Sequence, residues 1–254
     1  MKLPERYPFQ VIRLYKGEQL KPLSEEEKNE VRYFDKLYDE REECKIKMRE
    51  NILDPFCMIK MKYEITKKIL TRGEKIKDIL LFNFIEDVAR QNISDLSESM
   101  TSFIKFINEC MGSHTNCFKN KSQHILIQVL INGDEEKKED FNMHCCEIDQ
   151  KREKLFGSFN SKGCPDNKSF EALKNDIEGI RLKVKTYRDK IAAHGDNEEN
   201  ALTWKMIDES LNRYTEILFD FYIVLSFERI PAEPRGFGID PDATFNFLVR
   251  QIYE

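Results

Sequence analysis

The sequence predicts an all-α protein, an antiparallel helical bundle that carries a short extended arm at its N-terminus. Apolar residues recur at steps of three and four along most of the chain, which is the pattern of amphipathic helices. Only 10 glycines and 8 prolines interrupt 254 residues, 34% of which are charged. Many of the others are leucine or isoleucine, so the composition favours helices over sheets.

The first 23 residues differ from the rest, because three prolines punctuate them: Pro4, Pro8 and Pro22. We expect 1–23 to form an arm, with a possible hairpin turn at Lys16-Gly17. Residues 24–254 are then predicted to be a single helical-bundle domain. Ser24-Glu25-Glu26-Glu27 is a capping box that opens a helix to about residue 51, where Asp54-Pro55 is expected to end it.

Further apolar periodicity predicts helices at about 57–71, 76–107 and 141–156. The stretch from Asn92 to Ser99 is polar enough to allow a break in the second of these. Residues 108–122, 133–140 and 157–165 have the composition of loops and turns. Residues 123–131 are apolar, and their periodicity leaves both helix and strand open.

The strongest helical pattern lies at about 167–194. Asp166, Asn167 and Ser169 offer N-caps, and Gly195 stands where a glycine would end the helix. Its apolar seam is formed by Leu173, Ile177, Ile180, Val184, Tyr187 and Ile191. A second seam from Trp204 to Leu225 predicts a helix at about 203–228, packed antiparallel to the first. A last helix is expected after Asp240-Pro241.

A basic stripe runs beside the first seam, at Arg181, Lys185 and Arg188. Five basic residues and one acidic residue lie between Arg181 and Lys190. The whole chain has a net charge of −5, so it does not attract nucleic acid in bulk and any contact must be local. We expect Arg181, Lys185 and Lys190 to contact RNA phosphates if the stripe binds RNA.

The ten residues from Tyr187 to Asp196 resemble the signature of the HEPN superfamily. That signature is an arginine followed by a polar residue and, after a gap of four to six residues, a histidine at the helix end. Here Arg188, Asp189 and His194 match it. The resemblance implies a HEPN-like bundle and a metal-independent endoribonuclease, often a dimeric toxin or abortive-infection effector.

The resemblance also implies roles for the three residues. His194 would be the acid/base, because an imidazole titrates near neutral pH. Arg188 would be the phosphate clamp, because its planar fork donates two parallel hydrogen bonds. Asp189 would orient one of them. No metal or other cofactor is expected in this reaction.

The spacing of Arg188 and His194 predicts a homodimer. Six helical positions turn the two side chains about 120° apart and separate them by about 9 Å of rise. One regular helix therefore does not hold both on one phosphate unless it unwinds near Gly195. Two motif helices across a symmetric interface also solve the problem, since each can face its mate. The expected partners are thus RNA and a second copy of the chain, with an antitoxin protein as a further possibility.

Two other interpretations stay open. A HEPN-like module can bind RNA, a nucleotide or a protein without cutting. Alternatively, the chain is an unrelated helical interaction protein, in which His194 continues the seam of Tyr187 and Ile191 and binds the last helix carbonyls. Asp189 would then pair with Lys185 one turn back, on an ordinary solvated face.

The seven cysteines are an odd number, and no N-terminal segment resembles a signal peptide. We therefore expect free thiols in a reducing cytoplasm, and no apolar run long enough to span a membrane. Zinc-type ligands occur in two segments, Cys110-x3-His114-x2-Cys117 and His144-Cys145-Cys146. Their spacing fits no zinc pattern, and buried free cysteines are the more common alternative.

Overall fold

A computed structural model describes residues 40–71, 79–118, 135–193 and 197–226, with only the backbone at 135–142, 144–145, 190–193 and 197–202. These ranges contain five long helices: α1 (Asp54–Thr71), α2 (Ile79–Ser113), α3 (Glu135–Phe156), α4 (Asn167–Ala193) and α5 (Asn197–Ser226). They contain no β-strand, only an isolated bridge between Phe159 and Pro165. The prediction of an all-α protein is confirmed.

The predicted helix end at Asp54-Pro55 is wrong, since residues 40–48 are helical and continue into α1. A π turn, Arg49–Leu53, joins the two, and the backbone N–H of Asp54 donates to the carbonyl of Arg49. Pro55 has no N–H to donate, and its ring would clash with a carbonyl four residues back. The wider π turn accommodates the proline without ending the helix.

α2 runs without interruption through Asn92 to Ser99, so the break that this stretch allowed does not occur. Asn92 is buried, and its Nδ2 donates to the Thr66 hydroxyl at 3.4 Å. The Thr66 hydroxyl in turn lies 3.0 Å from two carbonyls of its own helix. Asn92 is thus a buried polar residue with a partner on the neighbouring helix. α2 also extends into the predicted 108–122 loop and is followed by a 3-10 turn at Thr115–Phe118.

The chain divides into two compact units. The described part of one, residues 47–71, 79–109, 171–193 and 197–219, contains α1 and most of α2, α4 and α5. Side-chain contacts join these helices in the order α1, α2, α4, α5 and back to α1. The contacts are Thr66–Asn92, Lys174–Asn108, Arg188–Ser94, Asp176–Arg213, Lys60–Thr215 and Tyr63–Asp208.

The directions of the helices follow from these pairs. Lys174 of α4 pairs with Asn108 of α2, and Arg188, further along α4, pairs with Ser94, which comes earlier in α2. The two helices are therefore antiparallel. α4 and α5 are antiparallel, because Asp176 and Arg213 lie nearly equally far from the connection at 194–196. The predicted pairing of these two helices is confirmed, although α5 begins at Asn197 rather than near 203.

The described part of the other unit comprises residues 40–46, 110–118, 135–170 and 220–226. Its core is an aromatic cluster of Phe118, Phe156, Phe170 and Phe221, whose ring centroids are 4.9–6.1 Å apart. Most of these rings meet edge to face, the arrangement that their quadrupoles favour. Asp220, also buried, forms ion pairs with Lys151 and Lys154.

The seam of the motif helix is buried as predicted at four positions: Leu173, Ile177, Ile180 and Val184. Tyr187 is half-buried, and the Ile191 side chain lies outside the described atoms. The arm at 1–23, the capping box, residues 123–131 and the last predicted helix also fall outside the described ranges. The single domain at 24–254 stays a prediction.

Candidate functional site

α4 carries the predicted site residues at its C-terminal end. The helix begins after Asp166, whose Oδ1 accepts a hydrogen bond from the Ser169 backbone N–H at 2.8 Å. Asp166 is therefore the N-cap, one of the three candidates that the sequence offered. Arg188 lies five residues before Ala193, the last helical residue. His194, Gly195 and the Lys190 side chain lie outside the described part, and their roles stay predictions.

The Arg188 guanidinium is held by three hydrogen bonds. Its Nε and Nη2 donate to Asp189 Oδ1 at 2.9 and 2.6 Å, and its Nη1 donates to Ser94 Oγ at 2.9 Å. The Arg188 side chain is 29% exposed, so solvent still reaches it. The three hydrogen bonds fix the direction of the fork, and part of the side chain remains accessible.

Asp189 contacts Arg188. The sequence predicted that Asp189 would orient either Arg188 or His194, and the alternative paired it with Lys185. In the structure its Oδ1 accepts two hydrogen bonds from Arg188. Asp189 is 59% exposed, so solvent screens this ion pair and its contribution to folding is small.

Arg181 is bound by a carboxylate of its own helix. Its Nε and Nη2 donate to the two oxygens of Glu178 at 2.7 and 2.6 Å. This bidentate pair lowers the pKa of Glu178 and raises that of Arg181. An RNA phosphate would therefore have to compete with Glu178 for Arg181. Lys185, one turn further along the same stripe, is exposed.

Ser94 is the site residue that sequence reasoning missed. It lies on α2, 94 positions before Arg188 in the chain, and belongs to the polar stretch that was read as a possible break. No motif links a serine at that distance to the arginine. The available signal was the polarity of the stretch itself, because polar residues inside a long helix need partners.

The cysteines of the described segments are free thiols, without disulfides. Cys44, Cys110 and Cys117 are buried. The hydrogen bond with Cys110, together with burial, raises the pKa of Cys44 to about 12, so this thiol is a poor nucleophile. Within the described side chains, no group of three or more His, Cys, Asp or Glu residues has an arrangement suited to a metal ion. His144 and Cys145 are not among those side chains.

Comparisons with protein-family models, with curated proteins and with solved structures find no match to this chain. None of the helices within the described ranges combines the length and the apolar character needed to cross a membrane. The interpretation of the site therefore depends on the geometry around Arg188.

Proposed function

We propose that the chain is a HEPN-like, metal-independent endoribonuclease of the toxin or defence type. The positioned guanidinium carries this proposal. Arg188 stands at the C-terminal end of α4, is oriented by Asp189 and Ser94, and is accessible to solvent. A phosphate group is a fitting ligand for the terminal N–H groups that Asp189 and Ser94 leave unused, because the guanidinium is already held in place before binding.

The reaction is an internal transesterification. A base removes the proton of a ribose 2′-hydroxyl, and the 2′-oxygen forms a bond to the adjacent phosphorus. The bond from phosphorus to the 5′-oxygen breaks, and an acid gives that oxygen a proton. His194 would act in these proton transfers, while Arg188 would stabilise the negative charge of the phosphorane. The products are a 2′,3′-cyclic phosphate and a free 5′-hydroxyl.

The proposed enzyme is a cytoplasmic homodimer whose interface includes the motif helix. Arg188 and His194 would point about 120° apart if α4 continued regularly through His194. A second copy brings another histidine and another arginine toward the same RNA. An antitoxin protein that covers Arg188 is the corresponding inhibitor.

A second candidate function is protein binding without RNA cleavage. Three apolar side chains at the start of α2 favour it, since Ile79, Leu80 and Phe84 are 71%, 76% and 65% exposed. Exposed apolar patches of this kind mark interaction surfaces in many proteins. This function would leave Arg188 and His194 without a chemical step.

The deciding experiment incubates purified protein with single-stranded RNA in excess chelator. We expect cleavage, with 2′,3′-cyclic phosphate ends that mass spectrometry detects. His194→Ala should abolish it, whereas His124→Ala, the same change outside the motif, should cut normally. Circular dichroism establishes that both variants fold. A folded His194→Ala protein that cuts at the wild-type rate would falsify the nuclease proposal.

A further inference from the structure

The hydroxyl of Ser94 has an unusual partner for a helical serine. Its oxygen accepts a hydrogen bond from Arg188 Nη1 at 2.9 Å, across two helices. Ser94 is half-buried, so the contact is sheltered without being closed to solvent. The Ser94 hydroxyl oxygen thus accepts a hydrogen bond from a cationic group.

Six other helical hydroxyls of the described segments bind a carbonyl of their own helix. Each of the following donates to the carbonyl four residues before it: Thr66, Thr71, Thr101, Thr186, Ser210 and Thr215. Such local hydrogen bonds are the usual way for serine and threonine to satisfy their hydrogen within a helix. Ser94 makes no such bond, and its hydroxyl hydrogen has no acceptor among the residues that the structure describes.

The Arg188 guanidinium also has N–H groups that make no hydrogen bond to the described residues. A guanidinium has five N–H groups, of which three are used by Asp189 and Ser94. Within the described part of the chain, one N–H on Nη1 and one on Nη2 remain without a protein acceptor. The Ser94 hydroxyl and these terminal N–H groups therefore lie together as hydrogen-bond donors, which suits an oxygen-rich anion.

The charges around this group limit the kind of anion. Asp189 balances Arg188, and Asp95, the neighbour of Ser94, accepts a hydrogen bond from Gln91 at 2.7 Å. The ion pair of Arg188 and Asp189 therefore has no net charge of its own. Without a net positive charge to offset desolvation, a dianionic phosphate monoester is a poorer ligand here than a phosphodiester, which carries one negative charge.

We infer that Ser94 and Arg188 form a phosphodiester-binding pair, in which the Ser94 hydroxyl donates to the phosphate that the Arg188 guanidinium contacts. The inference rests on the proposed function, because it names the ligand chemistry of the same site. It adds to that site a residue from α2, and it assigns the internal phosphates of RNA rather than terminal phosphates as the ligand.

The test measures binding separately from cleavage. A labelled single-stranded 2′-O-methyl oligoribonucleotide with a 5′-hydroxyl end cannot be cut, because it lacks a free 2′-hydroxyl. We expect Ser94→Ala to raise its Kd roughly tenfold, the loss typical of a hydrogen bond to a charged group. Ser94→Thr, which keeps a hydroxyl, should retain most of the affinity. The matched control Ser102→Ala, an exposed serine of the same helix, should bind like the wild type.

Two further measurements separate a phosphate contact from a packing effect. Ser94→Ala should leave the slope of log Kd against log salt unchanged, because no charge is lost, whereas Arg188→Ala should reduce the slope. Inorganic phosphate at millimolar concentration should compete poorly with the oligonucleotide.

The inference is overturned if Ser94→Ala binds as tightly as Ser102→Ala, or if Ser94→Thr fails to restore binding. It is also overturned if the wild type does not bind the oligonucleotide, or if inorganic phosphate displaces it readily. If the Ser94 effect is present but unmodified RNA is not cleaved, the nuclease proposal fails and the phosphodiester-binding pair stands.

Discussion

Asp189 Oδ1 accepts two hydrogen bonds from its chain neighbour Arg188, at 2.9 Å from Nε and 2.6 Å from Nη2. Adjacent residues of a helix point about 100° apart, so the two side chains must turn toward each other to make this contact. The same guanidinium reaches Ser94 on α2. The Arg188 side chain thus binds two acceptors, Asp189 and Ser94, and their positions determine how the guanidinium is oriented.

Arg188→Lys should reduce RNA cleavage at least about a hundredfold, the loss typical of removing one preorganised donor from a charged transition state. An ammonium group cannot bind Asp189, Ser94 and a phosphate through a planar fork. Single-turnover cleavage of a defined RNA measures the effect. Arg213→Lys on α5 is the matched control, since Arg213 forms an exposed ion pair with Asp176. Equal rates for the two variants would exclude the clamp role.

Lys185→Ala should weaken RNA binding and lower the salt slope of Kd by about 0.7, the value for one contact to single-stranded nucleic acid. Arg181→Ala should weaken binding less, because Glu178 already accepts from its guanidinium. Glu178→Gln should tighten binding by releasing Arg181. Fluorescence anisotropy at several salt concentrations tests all three variants. An unchanged slope for both alanine variants would show that RNA does not follow this stripe.

Gly179→Ala should increase the free energy of unfolding by about 0.5–1 kcal/mol, because glycine is a poor helix former. A Cβ at this position of α4 meets no atom within 4 Å. Gly157→Ala is the matched control, because its Cβ also meets no atom but its φ is +68°. That left-handed backbone strains an alanine, so the change should destabilise the protein. Urea denaturation measures both, and the signs should be opposite.

Asp166 should make the stability of the fold depend on pH. Hydrogen bonds from the Ser169 backbone and hydroxyl lower its pKa below the ordinary 3.8. A depressed pKa means that the stabilisation is complete above the unfolded-state pKa and is lost as pH falls through the lower folded-state value. Asp166→Asn keeps a capping oxygen without this titration. The excess in Tm of the wild type over this variant should be constant above about pH 5 and should shrink as the pH falls from there to about 2. A difference that stays constant over this lower range would contradict the prediction.

Several features of α4 could be predicted from the sequence because they depend on residues within about one turn. Asp166 caps the helix through Ser169, three positions later. The buried positions from Leu173 to Val184 follow from the period of the helix alone. Arg188 and Asp189 were identified by their place in a ten-residue pattern. The Arg181–Glu178 ion pair is also local, at a spacing of three, so the helical period could have predicted it as well.

Other features depend on which helices become neighbours and in what register. The chain continues through Pro55 because a π turn accommodates the ring, and α2 continues through Asn92 because Thr66 lies opposite it. By itself the sequence determined that the protein is helical and that Arg188 stands near the end of α4. Only the tertiary structure brought Ser94 to Arg188, because the antiparallel register of α2 and α4 joins residues 94 positions apart, far beyond the reach of helical periodicity.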